Sequence, residues 1–346
     1  MRSYRIGISG SGFGVKAHLP ALVAHPQFEV VALASPSSAA AIAAERKIAH
    51  SFSSARAMIE GCELDAVAIA SPPFAHRDDV LAALDAGLHV MCEKPFALNV
   101  EEAEELVAAS RDAGSACGIA HEFRFVPQRA ALRELIANGH LAPLRELEFT
   151  YLTTWLRAQS TGRPRGWWYE KQRGGGLANA VFSHMIDHAN WLIGRPPNAV
   201  HGFLRTANPI RKDEDGATFT STVDDGCFAL LEYGDGLVAR LTTDATAAVE
   251  SLTLAAHAEN RTAVVSGQSW IDGTLYSVDD DETNELQCKP SPYASYGSVQ
   301  PNVPYLIELY DEFVKQIETG TSALPTFQDG LDTQRVLAAI GYGVPT

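Results

Sequence analysis

The sequence predicts two domains of different class: an α/β domain on a parallel sheet, then an α+β domain on a large, mostly antiparallel open sheet. Three observations predict this. Short apolar runs rich in β-branched residues alternate with helical patterns over the first third of the chain, the mark of βαβ units. The first of those runs ends in a glycine-rich turn, Gly10-Ser11-Gly12-Phe13-Gly14. Past about Phe123 long strand-like stretches follow one another, separated by tight turns such as Tyr233-Gly234-Asp235-Gly236, which join antiparallel neighbours.

In chain order, strands are expected at 4–9, 28–34, 66–70, 89–92 and 116–120, with helices at 15–24, 37–47 and 80–86 between them. Asn99 caps a further helix, with Glu102 three residues on as its capping partner. The boundary falls after residue 122, so that 1–122 is the α/β domain and 123–346 the α+β domain. The second domain opens with a helix at 127–138, a strand at 144–152 and a helix at 183–192. Strands follow at 226–233, 237–243, 251–257, 261–266 and 274–278. Residues 277–298 are polar and turn-rich and read as a long loop; helices at 304–319 and 330–339 close the chain. An open sheet leaves one face without helices, which suits assembly into a homodimer or homotetramer.

Composition narrows the function. The chain has 346 residues, 46% of them hydrophobic, enough for two cores, and no window long and apolar enough to span a bilayer. A net charge of −15 argues against nucleic acid as a partner, because phosphate binding needs a basic face. The chain enters its first strand with no signal-peptide core before it. Its five cysteines are scattered and without metal-ligand spacing, which points to reduced thiols, a cytoplasmic setting and no metal site. A basic stretch, Arg157, Arg163, Arg165, Lys171 and Arg173, reads either as a solvated loop or as a basic rim over an anion.

The glycine turn is the first chemical signal. A strand, a turn with Gly10 and Gly12, and a helix bring backbone amides and a helix N-terminus against a pyrophosphate, as in a Rossmann domain. Phe13 and Gly14 complete the turn, but Val15 stands where the third glycine belongs. At the tip of the second strand, where a carboxylate would hold a ribose 2′-hydroxyl, the chain has Ser35, with Ser37 and Ser38 beyond it. Hydroxyls without a carboxylate admit a 2′-phosphate, so NADP is expected in preference to NAD. The second signal is Cys92-Glu93-Lys94-Pro95, which puts a lysine at the tip of a later parallel strand, where ligands of open α/β sheets gather. His121 stands at another such tip.

Several motifs in order then carry a resemblance: Ser71-Pro72-Pro73 with His76, Glu93-Lys94-Pro95, Glu122-Phe123-Arg124-Phe125, Trp167-Trp168, Gly174-Gly175-Gly176, His184-Met185-Ile186-Asp187, and Pro325-Thr326-Phe327-Gln328-Asp329-Gly330. With these the chain resembles, over nearly its whole length, the glucose–fructose oxidoreductase, inositol dehydrogenase and rhizopine-catabolism (Gfo/Idh/MocA) family of NAD(P)-dependent oxidoreductases. The resemblance implies hydride transfer to or from a sugar, a polyol or a related small carbonyl compound. It implies that Ser71, Pro72, Pro73 and His76 line the cofactor's path, that Glu93 bonds its ribose, and that the Lys94–Pro95 bond is cis. It implies that Lys94 contacts the nicotinamide ribose and the reacting oxygen, that Arg124 lies near the nicotinamide, and that His184 faces the substrate. Such chemistry needs a base for the hydroxyl proton and a cation for the developing alkoxide, and Lys94 and His184 are suited to these roles. Trp167 and Trp168 either pack the fold or stack on a sugar face.

One position departs from the family pattern. An Asp usually stands four residues before the histidine; here it is Ala180. Asp187 is available to orient His184 in its place, although relatives often keep that acid for structural reasons. The loss keeps two other readings open: elimination or hydrolysis with a recycled nicotinamide, and a non-catalytic dinucleotide-binding regulator.

Overall fold

The computed structural model describes residues 2–157, 164–279 and 282–342. They form two compact units, Met1–Glu122 with Ser291–Leu331, and Phe123–Pro290 with the chain's end. The turn at Glu122 thus divides the chain where the sequence pattern changes, but Ser291–Leu331, expected in the second domain, packs within the first unit.

The first unit is built on six parallel strands: β1 (Tyr4–Ser9), β2 (Phe28–Ala34), β3 (His50–Phe52), β4 (Ala66–Ile69), β5 (His89–Cys92) and β6 (Cys117–Ile119). Their order is β3-β2-β1-β4-β5-β6, which reverses direction between β1 and β4. Every residue of β4 is buried, as a central strand covered on both faces requires. Helices α1 (Leu19–Ala24), α2 (Ala39–Arg46), α3 (Ala55–Gly61), α4 (Pro73–Asp85) and α5 (Val100–Ala113) fill the connections. The Asn99 side chain accepts from the Glu102 amide at 2.8 Å, satisfying an orphan donor of α5, and the Glu102 carboxylate accepts in return from the Leu98 amide just before the cap at 2.9 Å. The short β3 and α3 are additions to the elements expected from the sequence.

Two closing helices, α8 (Val303–Thr319) and α9 (Phe327–Ala339), follow far down the chain. The buried face of α8, including Leu306, Tyr310 and Phe313, packs on α1, and its rings meet Phe28. That apolar face is the reason the segment belongs to the first unit: Phe28 would otherwise stand exposed on the edge of the sheet's cover.

The second unit holds α6 (Pro127–Ala137), α7 (Ser183–Ile193) and an eight-stranded sheet. Its strands are β7 (Leu144–Leu152), β8 (Ala199–Arg205), β11 (Gly226–Gly234), β12 (Leu237–Asp244), β13 (Ser251–Ala258), β14 (Arg261–Gly267), β15 (Thr274–Asp279) and β16 (Glu282–Leu286); β9 (Ile210–Lys212) and β10 (Thr218–Thr220) form a separate ribbon. The order is β16-β15-β14-β13-β7-β12-β11-β8, antiparallel throughout except for the pair β7 and β12. Alternate residues Leu147, Phe149 and Tyr151 of β7 and Cys227, Ala229 and Leu231 of β11 are buried on one face, toward α6 and α7. The expected loop at 277–298 is in part strand β16, whose exposed polar side chains hide it from a hydrophobicity pattern. No helix among the described residues is long and apolar enough to cross a membrane.

Candidate active site

The carboxyl ends of β1, β2, β4, β5 and β6 carry the candidate residues of the first unit. After β1 the chain turns through Gly10 and enters a helix that begins as one π turn (Gly14–His18) and continues as α1. Gly10 has φ +110°, and a Cβ there would lie 2.1 Å from the Ala70 carbonyl oxygen, so the fold itself demands glycine. A Cβ on Gly14 would sit 3.0 Å from Ile8 Cγ2 and 3.2 Å from the Ala70 Cβ. Gly14, not Val15, therefore allows the close helix–sheet packing that the third glycine of such turns provides. Gly12 differs: a Cβ there would meet no described atom within 4 Å. Its smallness serves no packing among the described residues and fits the close approach of a pyrophosphate to backbone amides. The residues present thus fit a dinucleotide.

Beside the turn, the Ser35 hydroxyl bonds those of Ser11 (3.1 Å) and Ser38 (2.9 Å), while Ser37 is exposed. After β4, the Ser71 hydroxyl donates to Asp79 at 2.8 Å, and Ser9 donates to the same oxygen at 3.2 Å. Burial raises the Asp79 pKa against those two hydrogen bonds. Pro72 and Pro73 begin α4, where a missing amide is tolerated. His76 is buried with Nε2 2.8 Å from the Ser71 carbonyl and Nδ1 3.0 Å from that of Pro95. It is a strut between two loops. Burial lowers its pKa and favours the neutral ring, against the pull of the two carbonyls.

The Lys94–Pro95 bond is cis. Lys94 is half-buried, and Glu93 beside it is buried. Glu93 Oε1 accepts from His18 Nε2 at 2.8 Å, and His18 Nδ1 lies 2.7 Å from the Tyr310 hydroxyl. A ring that donates from Nε2 to a carboxylate accepts the tyrosine proton at Nδ1. Burial alone would raise the Glu93 carboxyl; the His18 hydrogen bond and the Lys94 ammonium outweigh it and hold it below the usual range. His121 is buried beyond the end of β6. Next to it Glu122 is buried, with Oε1 2.8 Å from the Asn302 amide and Oε2 without a hydrogen-bond partner among the described residues. Burial pushes its carboxyl up to about 7, and the nearby Glu93 charge adds to this while Lys94 and Asn302 oppose it. His18, Asp79, Asn302 and Tyr310 are neighbours that sequence reasoning missed, and Glu122 enters it only within the Glu122-Phe123-Arg124-Phe125 motif.

In the second unit a π turn (Ala178–Phe182) leads into α7. His184 is buried, with its ring 4.7 Å from that of Phe123 and 5.5 Å from that of Trp270. Asp187 receives Arg124 Nε at 2.9 Å and Nη2 at 2.5 Å, a buried bidentate pair. The sequence reading places Arg124 near a nicotinamide and offers Asp187 as the partner of His184; the geometry joins Arg124 and Asp187 to each other, with both oxygens of the acid held by the guanidinium. One turn on, His188 Nδ1 bonds the His184 carbonyl at 2.8 Å, and Arg129 lies 3.2 Å from its Nε2. Burial, followed by the Arg129 charge, lowers the His188 pKa to about 3, so that ring stays neutral.

Trp168 is buried edge-on to Tyr169, and a Cβ on Gly175 would lie 2.2 Å from the Trp168 carbonyl oxygen, so this tryptophan packs the fold. Trp167 is half-buried. Of the basic stretch, Arg163 lies outside the described residues; Lys171 donates to the Gly341 carbonyl, Arg173 pairs with Glu170, and Arg165 lies over the Phe219 ring. These internal partners favour the loop reading over an anion-binding rim. Among the described residues no group of His, Cys, Asp or Glu is arranged to hold a metal ion.

Comparison with known proteins agrees with this architecture. A family described as an oxidoreductase family with an NAD-binding Rossmann fold matches residues 4–121, and the GFO/IDH/MocA C-terminal domain matches residues 130–268. An uncharacterized oxidoreductase of Synechocystis is 34% identical over 60% of this chain, which spans 56% of that protein's length. D-glucoside 3-dehydrogenase of Escherichia coli is 30% identical over 69% of each chain. Levoglucosan dehydrogenase of Pseudarthrobacter phenanthrenivorans is 27% identical over 98% of this chain and 96% of its own. A solved structure of levoglucosan dehydrogenase in complex with NADH matches with a TM-score of 0.85 and 25% identity, covering 98% of this chain and 96% of that one. Glycine turn, cis Lys94–Pro95 loop and open sheet together with these matches place the chain in the Gfo/Idh/MocA family of NAD(P)-dependent oxidoreductases.

Proposed function

We propose that the chain interconverts a hydroxyl and a carbonyl on a sugar, a polyol or a related small molecule, with NADP preferred over NAD. The observation that carries this reading is the placement of Lys94, half-buried at the tip of β5 beside a carboxylate held ionised by His18. A bound nicotinamide supplies the hydride acceptor or donor. Lys94 holds the reacting oxygen and stabilises its developing charge. Glu93 and the loops of Ser71, Pro72 and Pro73 hold the ribose and phosphate path, with His76 and Pro95 fixing those loops. His184, His121 and Trp167 belong to substrate recognition. Sugar substrates are named for relatives, levoglucosan and D-glucoside dehydrogenases among them, which supports that class here.

The NADP preference rests on the Ser11, Ser35 and Ser38 hydroxyls, with no carboxylate in that cluster. A second copy is proposed on the sheet face that carries exposed Phe203 and Leu230, and the five free cysteines suit a cytoplasmic setting. The test is absorbance of NADPH and NADH against a panel of sugars and polyols, with titration of both nucleotides. Turnover on a panel member and tighter NADPH binding are expected; no turnover with either nucleotide would defeat the enzymatic reading. Ala180, in place of the family's usual Asp, favours a second reading, a dinucleotide-binding regulator, which nucleotide binding without any turnover would support.

A further inference from the structure

We propose that Glu122 is the proton store of this site, a positioning residue that acts through Lys94. The inference rests on the reading of Lys94 as the group at the reacting oxygen.

The topology puts the two residues together. Parallel strands β5 and β6 pair Cys92 with Ile119, and the Ala120 amide continues the ladder to the Cys92 carbonyl at 2.8 Å. Lys94 and Glu122 follow these paired residues at neighbouring strand tips. Glu122 is 1% exposed and holds one fixed partner, the neutral Asn302 amide on Oε1. Its Oε2 is buried and has no hydrogen-bond partner among the described residues. A buried carboxylate oxygen left in this way is costly when ionised and is relieved by a proton. The charged groups that act on it come from the loop after β5, where the Glu93 charge favours protonation and the Lys94 ammonium opposes it. His121 adjoins it on its own segment, and His18, backed by the Tyr310 hydroxyl, bonds Glu93. Glu93 is already committed to His18, so the two carboxyls divide the work: one stays ionised, the other changes state near neutrality.

The step balances. As the C–H electron pair leaves the carbinol as hydride for the nicotinamide, the hydroxyl proton passes to the Lys94 nitrogen, and one ammonium proton passes to the Glu122 carboxylate. The carbonyl forms, Lys94 remains an ammonium, and Glu122 later releases its proton to water.

The experiment compares Glu122→Gln and Glu122→Asp with the native chain, each full length. In the unliganded protein, urea unfolding is followed from pH 5 to 8. The folded-state value of Glu122 lies above its ordinary 4.5, so the folded chain retains a proton that the unfolded chain has lost. Its contribution is therefore present at low pH and lost as pH rises toward 7. The native folding constant should fall relative to that of E122Q by up to about tenfold per pH unit in that window. In turnover, native kcat for oxidation should rise with pH through about 7. E122Q should lose that limb and about 10–100-fold in kcat with KM nearly unchanged, and E122D should restore the limb at a shifted midpoint. An E122Q chain whose unfolding and kcat keep the native pH dependence, beside an inactive Lys94→Ala chain, overturns the proton store alone. A Lys94→Ala chain with native turnover overturns the catalytic reading beneath it.

Discussion

The loop after β5 and helix α7 both bury charge, and they treat it in opposite ways. On α7 the charges are closed off: Arg124 grips both oxygens of Asp187, and His188 is kept neutral beside Arg129, which lies 4.5 Å over the Trp270 ring. At the β5 loop, Glu93 is held ionised and Lys94 is half-buried, and at the neighbouring tip of β6 burial pushes the Glu122 carboxyl up to about 7. Paired charge of the first kind builds a scaffold, whereas charge whose protonation is delicately balanced is what proton transfer requires.

Substitutions can break that contrast, and the largest effect is expected at Lys94. Lys94→Ala should lower kcat by about 10²–10⁴-fold, measured by nicotinamide absorbance, while urea unfolding changes by less than about 1 kcal/mol. At Asp187 the reverse is expected. Asp187→Ala leaves the Arg124 guanidinium buried and uncompensated and should lower unfolding free energy by about 3–5 kcal/mol in urea titration. If Asp187→Ala instead kept native stability and lost only turnover, the scaffold assignment would be wrong.

The glycine turn sharpens the same distinction at smaller amplitude. Gly10→Ala forces a side chain into positive φ and against a carbonyl, and should destabilise by about 1–3 kcal/mol or more. Gly12→Val meets no described atom at its Cβ, so stability should stay within about 0.5 kcal/mol while NADPH and NADH affinity falls at least about tenfold by fluorescence titration. Equal losses of stability in the two variants would remove the argument that Gly12 answers to a ligand.

How far the sequence reveals all this depends on distance along the chain. Strands β1, β2, β5 and β7 match their expected limits residue for residue, because apolar runs bounded by turn residues are local signals. β3, with three residues, is too short to show a period, and β16 is exposed along its length. Glu93 and Lys94 are legible as a contiguous motif, and so are the turn glycines, although only coordinates show that Gly14 does the work sought at Val15. The supports of Glu93 are not legible. His18 lies 75 residues from Glu93 and 292 from Tyr310, and no periodicity links such positions. Glu122 left one faint clue, since it follows β6 much as Lys94 follows β5.

The return of Ser291–Leu331 to the first unit has a practical consequence for protein engineering. A fragment ending at Glu122 would lack Tyr310, the hydroxyl behind His18, and would bare Phe28 to solvent. Grafting the nucleotide module of this chain onto a relative therefore takes three splices, one at each end of the inserted sheet domain and one after Leu331, and a single crossover would sever the module from its own buttress.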